Sequence, residues 1–122
     1  MGYESKLIIA KGFNDKNDGT GYHSKVVTID MCRMGGDDWF SLFSKVFPGE
    51  VYIEDENKPT TEDKYGDRLT YATVREVYNW CQSHHNDKTG FVYWRQSVLE
   101  AMLKEIILSG NDRDLLVIHY GH

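Results

Sequence analysis

The chain has no basic run, no long apolar run and very little proline. Lys and Arg never occur three in succession, so no strip of positive charge stands ready to neutralise a phosphate backbone. Fourteen basic residues face 19 acidic ones and the net charge is −5. That balance speaks against direct nucleic-acid binding. The longest continuous apolar stretch is four residues, far short of the ~20 that a membrane-spanning helix needs. No charged start leads into an apolar stretch with a small-residue cleavage site, so no secretory signal is read and a cytoplasmic location is expected. The two cysteines, Cys32 and Cys81, are far apart in sequence, and a cytoplasmic chain keeps such thiols reduced. C-x-x-C, H-E-x-x-H, G-x-S-x-G and a complete glycine-rich phosphate loop are all missing. No cofactor is called for.

What is present is ordinary for one folded domain. The 122 residues are 40% hydrophobic and 13% aromatic, with only 2 Pro, enough for a single core and too apolar for disorder. Residues 3–11 are rich in strand formers. Residues 24–34 form a second strand, with Val27, Ile29 and Met31 alternating onto one face. The turn formers between them predict an antiparallel hairpin with a long loop. After Gly35-Gly36, Asp37 or Asp38 can cap a helix that carries Trp39, Phe40, Phe43 and Phe47 and stops before Pro48-Gly49.

Residues 50–55 alternate and read as a third strand, and residues 68–72 as a short edge strand. Thr73 and Glu76 match a capping box at the start of a helix reaching about His84. Its inner face is Val74, Val77, Tyr78 and Cys81. A longer helix spans residues 93–108 with Val98, Leu99, Met102, Leu103 and Ile106 inward, and Gly110 suits the left-handed position that follows. Leu115 to Ile118 are continuously apolar, which predicts a strand buried on both faces near the sheet's centre. The order β-β-α-β-(β)-α-α-β defines an α+β domain over residues 1–122. Its sheet is mainly antiparallel, of four to five strands, with helices packed on it.

The charge is concentrated. Between Glu50 and Asp67 seven acids stand against two bases, so these residues hold the whole net charge. One reading is a solvated loop that keeps the protein soluble. The other is an acidic surface offered to a basic partner, with Glu54, Asp55, Glu56, Glu62 and Asp63 as its charges and Tyr65 as an aromatic anchor. Two chemical alternatives remain beside it. Cys81 and His85 lie one helical turn apart and could join His119 in a zinc site. Glu56-Asn57-Lys58 and Glu62-Asp63-Lys64 have the acid-x-Lys form seen in metal-dependent nucleases.

Three segments carry a resemblance. The opening Met1-Gly2-Tyr3-Glu4-Ser5-Lys6-Leu7 and the closing Val117-Ile118-His119-Tyr120-Gly121-His122 resemble a loose group of small, uncharacterised accessory proteins from bacteriophages and prophages. Glu62-Asp63-Lys64-Tyr65-Gly66-Asp67, followed by Leu69-Thr70-Tyr71-Ala72, is similar to the same group. The resemblance brings no catalytic residues. It implies a small phage-type protein in the cytoplasm of a bacterial host, of the kind that binds and disables a host factor. The expectation is a binding protein whose acidic segment meets a basic surface on a host nucleic-acid-binding or defence protein. A homodimer is compatible with it. The alternative is a small metal-dependent hydrolase or nuclease.

Overall fold

Strand-forming segments far apart in sequence pair directly. The computed structural model describes residues 4–11, 25–32, 37–47, 49–51, 60–85 and 93–121. Its elements are β1 (Ser5–Lys11), β2 (Lys25–Cys32), α1 (Asp37–Leu42), β3 (Lys45–Val46), β4 (Thr70–Thr73), α2 (Val74–Ser83), α3 (Trp94–Leu108), a 3-10 turn (Asn111–Arg113) and β5 (Leu115–Gly121). The five strands form one sheet in the order β2-β1-β5-β4-β3, and every pairing is antiparallel. The fold is α+β, as the sequence predicts, and the 1–2 hairpin pairing is present. None of the described helices is long and apolar enough to cross a membrane.

β5 lies at the centre, and the apolar run that marked it is buried on both sides. Val117 belongs to the larger core with Leu7, Ile9, Met31 and Ala72. Ile118 and Tyr120 belong to a second core with Ile8 and Ala10. Alternation along a strand explains the split, since successive side chains point to opposite faces. α2 and α3 cover the first face through Val74, Val77, Cys81, Leu99 and Leu103, all fully buried. The second face is covered by Phe47, Val51 and Leu69. The acidic segment therefore begins and ends in buried apolar anchors.

The helix starts and stops follow local chemistry. Thr73 Oγ1 accepts from the Glu76 backbone N–H at 3.1 Å, and Glu76 Oε1 accepts from the Thr73 N–H at 3.0 Å. This is the capping box read from sequence. The bond from the Thr73 backbone is the largest influence on the Glu76 carboxyl and outweighs the opposing effect of burial; with a lesser contribution from Lys45 it holds the group below the usual range. Gly110 adopts φ +80° after α3, a conformation that costs a Cβ-bearing residue.

Three expectations need correction. The helix predicted to reach Phe47 ends at Leu42, and Lys45 and Val46 pair instead with Tyr71 and Thr70. A six-residue helix has little stability of its own. Phe47 gains more on the opposite sheet face, where its N–H donates to Leu69 O at 2.8 Å. The strand predicted over 50–55 is described only at Glu50 and Val51. Val51 forms an isolated bridge with Thr60, and residues 52–59 lie outside the described residues. The predicted edge strand over 68–72 is β4, and β3 is the edge. On α3, Val98 is 50% exposed rather than inward, while Gln96 is buried and donates to Cys81 O at 3.3 Å.

Adjacent residues in the segment that left the helix should respond very differently to truncation. Phe47→Ala should cost about 3–5 kcal/mol in urea unfolding, as for a fully buried aromatic. Val46→Ala, at an exposed position, should cost less than about 0.5 kcal/mol. Comparable losses at both would contradict the second core.

Candidate functional site

β5 continues its alternation past Val117, so His119 points to the same face. It faces Leu7 on β1 and Thr70 on β4. An apolar residue would be the ordinary occupant. His119 is instead 6% exposed, its ring 5.0 Å from Phe43 and 6.1 Å from Phe40. Its polar needs are met by Ser5, fully buried at the start of β1, whose Oγ lies 2.8 Å from His119 Nε2. Trp39 of α1 donates its indole N–H to the same Oγ at 3.1 Å. Because Trp39 can only donate, Ser5 is free to donate onward to a neutral His119. Burial pulls the His119 pKa down from 6.5 to about 4, so the ring is uncharged at neutral pH.

α1 is clamped to α2 by a second histidine. His84 Nε2 is 2.9 Å from Asp38 Oδ2 and Nδ1 is 2.7 Å from Trp80 O. Its ring stacks on Trp80 at 4.0 Å. The bond from His84 holds the Asp38 carboxyl below the usual range.

Next to His119 lies the acidic turn. Asp63 Oδ1 accepts from the backbone N–H groups of Tyr65 at 2.9 Å and Asp67 at 3.0 Å. The Asp63 N–H donates to Asp67 O at 2.8 Å, and Gly66 takes φ +85° at the turn. The Lys64 N–H donates to Gly121 O at 3.1 Å, which ties the turn to the end of β5. On its entry side, Thr60 Oγ1 donates to Glu62 O at 2.8 Å. The turn is thus rigidly built, with Tyr65 55% exposed and Glu62 and Asp67 exposed beside it. A pocket of about 130 Å³ opens between turn, sheet and α1, lined by Phe40, Phe43, Asp63, Asp67, Arg68, Thr70 and His119.

Of the acidic surface predicted from sequence, the structure brings Glu62, Asp63 and Tyr65 onto one short turn. Asp63 works chiefly inward, as the acceptor that shapes it. Glu54, Asp55 and Glu56 lie outside the described residues, as does the Glu56-x-Lys58 triplet. The zinc candidates are not brought together. Cys81 is fully buried in the larger core, and burial, with a smaller push from Glu100, raises its thiol to about 12. His85 Nε2 sits 2.6 Å from Glu100 Oε1, and His119 is committed to Ser5. Among the described residues no group of three or more His, Cys, Asp or Glu could hold a metal ion.

Sequence reasoning missed Ser5, Arg68 and Thr70, and treated His119 only as a ligand. The signal available was parity. His119 shares odd numbering with Leu115 and Val117 on a strand already read as buried. Comparison with known proteins finds no family model, no curated protein and no solved structure that matches this chain.

The depressed His119 pKa is a statement about stability. The unfolded chain takes up a proton near pH 6.5 and the folded chain only near 4. Stability is therefore fully present above about pH 6.5 and is lost as pH falls toward 4. The loss is of order 3 kcal/mol. The carboxyls held low, at Asp38, Glu76 and Asp112, take effect only below the ordinary carboxyl values of 3.8 to 4.5. Urea unfolding between pH 7 and 5 should show the decline in the native chain and a flatter profile in His119→Gln. A ring titration of His119 centred near 6.5 would overturn the assignment.

Proposed function

We propose that the protein works by protein–protein contact, presenting the acidic turn around Tyr65 to a basic surface on a host protein. The observation that carries this reading is the construction of the turn. Tyr65 stands more than half exposed on a loop fixed by Asp63, Gly66 and Lys64. An exposed aromatic on a pre-ordered backbone loses little entropy on binding. Glu62 and Asp67 flank it with the charge that steers a basic partner and sets the register. Glu54, Asp55 and Glu56 add charge to the same segment of sequence.

A host protein that itself binds nucleic acid is the favoured target. Its phosphate channel is a ready basic surface, and fixed carboxylates can occupy the places of phosphates. The likeness to phage accessory proteins supports the same direction. Small accessory proteins of this kind often act by binding and disabling a host factor.

The test is capture from a bacterial host lysate by the tagged chain and by the triple variant Glu62→Lys, Tyr65→Ala, Asp67→Lys, with bound proteins identified by mass spectrometry. The wild type should hold one stoichiometric partner that weakens with added salt. The variant should lose it while keeping its unfolding midpoint, since none of the three side chains is buried. Equal capture by both chains would rule the turn out as the binding surface.

A further inference from the structure

The pocket beside the acidic turn combines three kinds of chemistry. Phe40 of α1 and Phe43 just after it form an aromatic side, and Phe40 is 42% exposed. His119 and Thr70, cross-strand neighbours on β5 and β4, supply polar groups at the sheet. Asp63, Asp67 and Arg68 bring charge from the turn. A volume of about 130 Å³ is well below the roughly 300–1,000 Å³ of sites that enclose a whole small molecule. It suits the end of one side chain.

The charges favour a cation. Two carboxylates face one guanidinium, and His119 contributes no positive charge because burial holds it neutral. Asp63 spends one carboxylate oxygen on the backbone of the turn. The Asp67 carboxylate accepts no hydrogen bond and joins no ion pair among the described residues; only its backbone is engaged. Arg68 donates to Phe47 O at 3.3 Å and pairs with neither aspartate. An available carboxylate beside an aromatic face matches a planar guanidinium better than an ammonium. The guanidinium stacks on rings, is less strongly hydrated, and offers a fork of donors.

We infer that this pocket receives one arginine side chain of the basic partner, with its guanidinium against Phe40 and hydrogen-bonded to the Asp67 carboxylate. The inference rests on the acidic-turn reading and gives it a specificity-determining contact. Tyr65 lies on the same turn, so anchor and pocket would engage neighbouring points of one surface. Arg68 opposes the incoming charge and limits affinity, so its removal should strengthen binding.

The probe is N-acetyl-arginine amide, titrated into the full chain and followed by amide spectra at Phe43, Thr70 and His119. N-acetyl-lysine amide and the neutral isostere N-acetyl-citrulline amide serve as comparisons. The arginine amide should shift these three signals and saturate in the millimolar range, the lysine amide should bind more weakly, and the citrulline amide should leave them in place. Asp67→Asn and Phe40→Ala should each weaken the arginine amide by about fivefold. Arg68→Gln should tighten it by about threefold. Equal shifts with citrulline, indifference to Asp67→Asn, or no shift at the pocket would overturn the inference. The two failures are distinguishable. If the pocket ignores arginine and Phe40→Ala still captures the partner fully, the pocket inference falls and the turn reading stands. If the triple turn variant, which carries Asp67→Lys, captures the partner undiminished, the turn reading falls and the pocket's role toward that partner falls with it, whatever the pocket's affinity for arginine amide.

Discussion

Seven residue pairs join β1 to β5, from Ser5 with Gly121 to Lys11 with Leu115. Closing a loop of that length costs entropy before any contact is gained. The return comes from burial on both faces at once. Leu7, Ile9 and Val117 enter one core, and Ile8, Ala10 and Ile118 the other. Every other element is placed by this pair. β2 extends it on one side and β4 on the other, α2 and α3 cover one face, and the flanks of the acidic segment cover the second.

The same pairing creates the polar centre. Bringing Ser5 and His119 together across 114 positions buries two polar side chains in one neighbourhood. An unpaired imidazole there would cost several kcal/mol at most and at least about 1 kcal/mol. Ser5 answers His119, and Trp39 answers Ser5. The Trp39 indole also fixes α1 against the sheet, and α1 then sets Phe40 and Phe43 beside His119. A short helix that could not persist alone is held by one buried hydrogen bond, by aromatic packing on Phe43 and Trp80, and by the His84–Asp38 contact.

How much of this was legible follows from the range of each interaction. The capping box of Thr73 and Glu76 and the left-handed Gly110 are local, and were readable. The centrality of β5 was readable because four successive apolar residues can only be satisfied on two faces. The helix predicted through Phe47 failed for the opposite reason. The spacing of Phe40, Phe43 and Phe47 fits one helical face. A tertiary gain on the far side of the sheet draws Phe47 away, and no local pattern encodes it. Val98 and Gln96 exchange places in the same way, because Gln96 finds backbone carbonyls at the end of α2. The candidate site was half legible. Composition marked the acidic segment and Tyr65. The partnership of Ser5 with His119, and the convergence of Phe40, Asp67 and Thr70, depend on strand register and on α1, which the sequence does not display.

The build of the acidic segment bears on what its charge is for. Charge that serves solubility needs no fixed geometry, and a loose loop would supply it at no conformational cost. Here the turn from Glu62 to Asp67 is held by Asp63 from within, by Gly121 from the sheet, and by Leu69 from the second core. Asp63 is a carboxylate placed to accept two backbone N–H groups, so one of the segment's charges is also the element that orders the rest. Ordering a charged loop next to an aromatic pocket concentrates field and shape in one place, which is what recognition requires and solubility does not. This ordering of the acidic turn and its pocket is what supports the proposal that they face a partner.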